Sequence, residues 1–259
     1  MTPLPDETQS TQKTVRTFNS IAKRYRRMKA KPLTHFIVES TVLGLIGDVE
    51  GLDAIDLACG EGRWTRVLKR LGAATASGVD ISEEMIRLAE ASEQSDPLGC
   101  SYSIADVATL DAAGTNDIAV GAFLLNYASS PEQLLGFCRT AARLLKPNGR
   151  FVGINSNMAL DVAAYGYWRE LGRWMTTTRD RKNGDPITIH LVDDDGKELS
   201  FDNYYLSPAV YEEAFDKAGF KSFRWVQPTV SEDALKLRSP EYWARFLEQP
   251  QVIGFEAKI

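Results

Sequence analysis

From residue 54 to residue 155 the chain alternates short apolar runs with amphipathic helical patterns, and that rhythm admits few folds. The apolar runs cover 54–58, 76–79, 102–105, 118–123 and 150–155. Helical spacing fills 63–71, 82–91 and 131–145 between them. Strands joined in sequence by helices lie parallel, and a parallel sheet needs both faces covered. Two later runs, 220–226 and 252–257, follow helical patterns at 208–218, closed by Gly219, and near 240–247. The expected fold class is therefore α/β: a Rossmann-like, seven-stranded, mostly parallel sheet with helices on both faces.

Two stretches fall outside the rhythm. Residues 1–13 are polar without apolar period and are expected to form a disordered tail. From Thr14 the spacing of Phe18, Ile21, Ala22 and Tyr25 suits a helix. A second helical pattern over 33–46 ends at Gly47, so residues 14–50 are predicted to be an N-terminal helical cap. Residues 51–259 then form one ligand-binding domain with an insertion at 157–205. The insertion is expected to hold a helix over 159–175 and a β-hairpin, 187–192 with 199–205, turning at Asp193-Asp194-Asp195-Gly196.

Composition narrows the partners. A chain of 259 residues with 44% hydrophobic content can bury a full core. Its 30 Lys and Arg against 35 Asp and Glu, net charge -5, offer no general attraction to nucleic acid. Cys59, Cys100 and Cys138 are unpaired in spacing and suggest neither a disulfide framework nor a thiolate metal site. No apolar stretch approaches membrane-spanning length and the first dozen residues do not look like a signal peptide, so a cytoplasmic protein with no membrane partner and no metal is expected. A homo-oligomer is compatible with the sequence.

Chemistry concentrates at Asp56-Leu57-Ala58-Cys59-Gly60-Glu61-Gly62, where the first apolar run gives way to a helix. Glycines there let backbone approach a ligand, and a helix start presents free amides. The second run ends on Asp80, where a carboxylate can take both hydroxyls of a ribose, so an adenosine-containing cofactor is implied. The dinucleotide fingerprint calls for a third glycine, but Thr65 stands there, which argues against an NAD- or nucleotide-sugar-dependent oxidoreductase. A bare β-α turn without ligand is the bland alternative.

These residues resemble class I S-adenosylmethionine (SAM)-dependent methyltransferases: an acid, Asp56, before the glycine loop, Asp80 closing the second strand and Asp106 after the third. The Leu-Lys-Pro-Asn-Gly turn at 145–149 also looks like the family's, with Asn148 for a glycine. The resemblance implies SAM as cofactor, with Ala58, Gly60 and Gly62 along its methionine part and Asp80 on the ribose. Ile81 and Met85 would flank the adenine, Asp106 and Val107 would read its amino edge, and Leu124 would line the site. It further implies that Asn126 or Tyr127 faces the acceptor, and that the Ala-x-x-Tyr element ending at Tyr25 closes over the cofactor's carboxylate. Tyr25 as an ordinary core residue is the other reading. The segments 124–128 and 155–157 and the hairpin are similar to toxoflavin-type N-methyltransferases, which implies a small secondary-metabolite acceptor approached by Asn155 and favours methylation at nitrogen, with carbon and oxygen as the alternatives.

Other residues read two ways. Tyr167 and Trp168, with Tyr165 and Trp174, either wall a planar acceptor or fill core. His190 in the hairpin is a candidate general base or an exposed strand histidine. An RNA methyltransferase and a degenerate binding module are the remaining alternatives, against which stand the acidic balance and the intact acidic and glycine positions.

Overall fold

The computed structural model describes residues 7–28, 34–111, 114–167, 169–192 and 196–259. Strand β1 (Asp53–Leu57) is buried from Ala54 onward and pairs in parallel on both edges, with β2 (Thr75–Asp80) and β4 (Asn116–Ala122). Parallel pairing continues outward from β2 to β3 (Ser101–Ile104) and from β4 to β5 (Leu145–Ser156). Strand β10 (Val252–Lys258) then runs antiparallel between β5 and β9 (Ser222–Val226). The order β3-β2-β1-β4-β5-β10-β9 reverses direction at β1 and β4, which places a crevice at the carboxyl ends of those strands.

Alternation along the strands feeds two cores. Ile55, Leu57, Ala119 and Phe151 pack on one face, and Ala54, Ile118, Val120 and Val152 on the other. The first face is covered by α4 (Glu83–Ser95), α5 (Pro131–Leu144) and α6 (Pro208–Lys217), and the second by α2 (Glu39–Ile46) and α3 (Arg63–Arg70) together with α7 (Glu232–Leu237) and α8 (Pro240–Glu248). Local chemistry starts these helices where expected: Ser82 accepts from Met85 N at the head of α4, and Ser130, followed by Pro131, accepts from Gln133 N at the head of α5. Asn148 adopts φ 67° in its turn, a conformation asparagine tolerates.

Two expectations fail. Helix α1 (Glu7–Met28) begins at Glu7, so residues 7–13 are its first turns and not a tail. They escape an apolar-period test because their contacts are polar: Ser10 Oγ meets Ser129 Oγ at 2.9 Å, and Gln133 Nε2 donates to Thr11 Oγ1 at 3.2 Å. The helix expected over 159–175 is absent. Short 3-10 turns, Val162–Ala164 and Arg169–Leu171, lead into β6 (Arg173–Thr176). Gly172 at φ 78° ends any helical continuation, and Trp174 and Met175 pair with His190 and Ile189 of β7 (Pro186–Val192). The hairpin forms as expected, with β8 (Glu198–Tyr204) completing a three-stranded antiparallel sheet. Its turn residues Asp193, Asp194 and Asp195 lie outside the described residues. The short helix α7, too brief for its periodicity to show in the sequence, is capped by Ser231.

Candidate functional site

The loop after β1 is shaped by residues that cross the left-handed region, Ala58 at φ 59°, Gly60 at 57° and Gly62 at 81°. Two carboxylates hold it. Asp56 Oδ2 accepts from Thr65 N at 2.9 Å and Thr65 Oγ1 at 2.8 Å, tying β1 to the first turn of α3. Thr65 stands where a dinucleotide site has glycine, and this hydroxyl contact is what it contributes. Asp80 Oδ2 accepts from Gly60 N at 2.8 Å, while its Oδ1 accepts from Ser82 N at 2.9 Å. Gly78 leaves room for the packed loop, since a Cβ there would lie 2.7 Å from Thr65 Oγ1 and 2.8 Å from Cys59 Sγ.

Over this loop opens a pocket of about 1160 Å³, counted with its mouth. Its floor is Ala58, Cys59 and Gly60, and its far end is Asp80, Ile81 and Met85 with Asp106 and Val107. Phe123, Leu124 and Tyr127, from the end of β4 onward, form the opposite wall. Phe123 is held at φ 67°, a strained conformation for an aromatic residue, with its N–H on Ile154 O at 2.7 Å. Thr11, Thr14, Phe18 and Tyr25 of α1 complete the lining.

The structure thus gathers Tyr25, Ala58, Gly60, Asp80, Ile81, Met85, Asp106, Val107 and Leu124 around one cavity. Asp56 and Gly62 do not line it. Asp56 acts from behind through Thr65, and Gly62 packs so closely on Tyr102 that a Cβ would fall 2.6 Å from its hydroxyl. Of the acceptor candidates Tyr127 lines the pocket. Burial holds its phenol well above the usual tyrosine range, so it stays protonated at neutral pH as a hydrogen-bond donor. Asn126 and Asn155 are fully buried outside the lining, and Asn126 Oδ1 accepts from Ser156 N at 3.1 Å. Tyr167 is 56% exposed and walls nothing, while Trp168 lies outside the described residues.

His190 does not line the pocket either. Strand alternation places it directly across from Trp174 and Ser200, on the face turned away from Ile189 and Phe201. There its ring stacks on Trp174 at 4.9 Å, with Thr176 Oγ1 at 2.8 Å and Glu198 Oε1 at 2.6 Å. The period-two argument that finds the hairpin also fixes this outward face; only the depth of the pocket beneath it is invisible in sequence.

Helix α1 is fastened over the cavity at several points. Asn19 Oδ1 accepts from Ser82 Oγ at 2.7 Å and from Glu84 N at 3.3 Å, bonding to the start of α4. Phe18 sits 5.5 Å, centroid to centroid, from each of Tyr25, Tyr127 and Phe201. Lys13 pairs with Asp202 at 2.6 Å and Arg24 donates to Glu198 O at 2.9 Å, joining the helix to the small sheet. Sequence reasoning misses Thr11, Thr14 and the basic Arg63, which also lines the pocket. Among the described residues no cluster of His, Cys, Asp and Glu could hold a metal ion, and no helix is long and apolar enough to cross a membrane.

Residues 54–149 match the family model of a methyltransferase domain. The ubiquinone biosynthesis O-methyltransferase of Caulobacter sp. (strain K31) is 32% identical over 117 residues, covering 44% of this chain and 45% of that enzyme. The chain therefore spans less than half the length of the curated relatives it matches. The structure is similar to a SAM-dependent methyltransferase from Mesorhizobium loti, with a TM-score of 0.62 at 18% identity, covering 90% of this chain and all of that one. It is also similar to the magnesium protoporphyrin IX methyltransferase of Synechocystis PCC 6803 with bound SAH, with a TM-score of 0.60 at 18% identity, covering 96% and 99%. The chain has the fold of the SAM-dependent methyltransferases, and its segment 54–149 is similar to a methyltransferase domain. SAM is the cofactor of that class, and the residues present fit it: two acids at the ends of β2 and β3 flank an apolar slot made by Ile81, Met85 and Val107, with a glycine floor beside it.

Proposed function

We propose that this protein transfers the methyl group of SAM to a small molecule. The observation that carries the reading is the single cavity in which the Gly60 loop, Asp80 and Asp106 share walls with Tyr127 and the roof of α1. An acceptor held against Tyr127 would share this cavity with the donor over the Gly60 loop. In this reading Asp80 takes the ribose hydroxyls and Ile81 and Met85 hold the adenine. Asp106 and the Val107 backbone read its amino edge, and Tyr25 covers the carboxylate end.

SAM supplies an already activated methyl group on a sulfonium. The chain's own part is to hold the acceptor atom in line with it and keep water away, and positioning of this kind supplies about 7–11 kcal/mol of a barrier. Tyr127, protonated at neutral pH, donates to the acceptor and does not deprotonate it. Phe18, Tyr25 and Phe201 exclude water from above. The insertion 157–205 and α1 together form the cover that selects the acceptor.

For the acceptor, the resemblance to toxoflavin-type enzymes supports nitrogen in a planar secondary metabolite, and we take that as the leading class. The O-methyltransferase names among the relatives make oxygen the second choice. Incubation with SAM carrying a deuterated methyl group and a panel of heteroaromatic N–H and phenolic compounds, read by mass spectrometry, is expected to show labelled small-molecule product. Label entering only RNA or protein would overturn the assignment.

A further inference from the structure

Alternation along β6, β7 and β8 turns Met175, Ile187, Ile189 and Phe201 toward the main core, and with them Arg173 and Asn203. Arg173 is a charged group, 7% exposed, on an inner face that is otherwise apolar except for Asn203. Its Nη2 donates to Ser156 Oγ at 2.7 Å and its Nη1 to Gln251 Oε1 at 3.2 Å, both neutral oxygens. Among the described residues no carboxylate pairs with it. Burial works against its charge first, and the hydroxyls of Tyr25, Tyr127 and Tyr165 favour it; the first two of these residues line the pocket. Burying a guanidinium without an anion is costly, and unpartnered donors beside it add to the cost.

Such donors are present. Asn126 Oδ1 holds the N–H of Ser156, the residue whose hydroxyl holds Arg173, yet Asn126 Nδ2 is buried with no partner. The hydroxyl of Tyr165, one of the groups near Arg173, is buried without a partner as well. A buried cation bordered by unpartnered donors, behind a wall of the pocket, is the arrangement of an anion site whose anion arrives with a ligand.

On the reading that this pocket holds a methyl donor, we infer that Arg173 recognises a carboxylate carried by the methyl acceptor, with Asn126 and Tyr127 bordering it. The planar fork of a guanidinium matches a carboxylate's two oxygens, and the Arg173 fork meets only the neutral Ser156 Oγ and Gln251 Oε1. The site lies under the roof of Phe18, Tyr25 and Phe201, so the acceptor enters when α1 lifts.

The test titrates the protein, saturated with S-adenosylhomocysteine, with acetate, benzoate and indole-3-acetate and with the amide of each. At least one acid is expected to bind about tenfold or more tightly than its amide. Arg173→Met should abolish the preference while binding S-adenosylhomocysteine normally, and Arg173→Lys should keep part of it. Should the methionine variant fail to fold, a reduced preference in Arg173→Lys at unchanged S-adenosylhomocysteine affinity carries the same meaning. Equal affinity for every acid and amide, no binding of any probe, or a preference that survives in Arg173→Met would overturn the inference. Failure of S-adenosylhomocysteine to bind the unmodified protein would instead defeat the methyl-donor reading on which it rests.

Discussion

Replacing Phe18 by alanine is expected to lower turnover with the native acceptor by roughly a hundredfold while leaving the adenosine end of the cofactor site intact. The Phe18 ring touches Tyr25, Tyr127 and Phe201 together, and it lines the pocket. Large-to-small changes at a buried phenylalanine cost about 3–5 kcal/mol when the surroundings cannot collapse. Here the cost falls on the docking of α1. That helix joins no strand of the main sheet and is held by side-chain contacts such as Asn19 with Ser82 and Glu84. The variant should therefore stay folded, open its roof and admit water. Comparing kcat on the acceptor with the affinity for S-adenosylhomocysteine checks this. A variant with undiminished kcat would show that α1 does not close the reaction chamber.

Asp80→Ala is expected to weaken SAM binding by about 1–3 kcal/mol, or roughly five- to 160-fold in Kd. Two effects add. The ribose hydroxyls lose a charged acceptor, and the amides of Gly60 and Ser82 lose theirs, at 2.8 and 2.9 Å, so the loop beneath the cofactor slackens as well. Asp80→Asn separates the two, because an amide oxygen can still hold one of those N–H groups but carries no charge. Calorimetric Kd values should fall in the order wild type, asparagine, alanine from tightest to weakest. An alanine variant that folds and binds SAM normally would remove Asp80 from the site.

The strands and their mostly parallel pairing are legible in the sequence because buried parallel strands are nearly all apolar, and each such run sits between helical patterns. The gathering of Gly60, Asp80 and Asp106 around one pocket is legible for a related reason: they sit at or just beyond strand ends, where the topology brings them together whatever the helices do. The acceptor side depends on long-range pairing that leaves little local trace. Tyr167 and Trp168 fall at helical spacing from neighbouring aromatics, yet Gly166 and Gly172 interrupt the segment, and Arg173–Thr176 becomes β6 only because β7 is there to pair with it. Arg173 escapes sequence reasoning since nothing local distinguishes a buried arginine from a solvated one. The start of α1 is hidden because it docks through Ser10 and Thr11, polar residues that a hydrophobic period cannot register.

The central claim, that the cavity above the Gly60 loop is a SAM site, is tested most directly by calorimetric titration of the unmodified protein with S-adenosylhomocysteine and, separately, with NAD. Micromolar binding of S-adenosylhomocysteine, about -8 kcal/mol, with no heat from NAD is the predicted result. Binding of NAD with none of S-adenosylhomocysteine would contradict it.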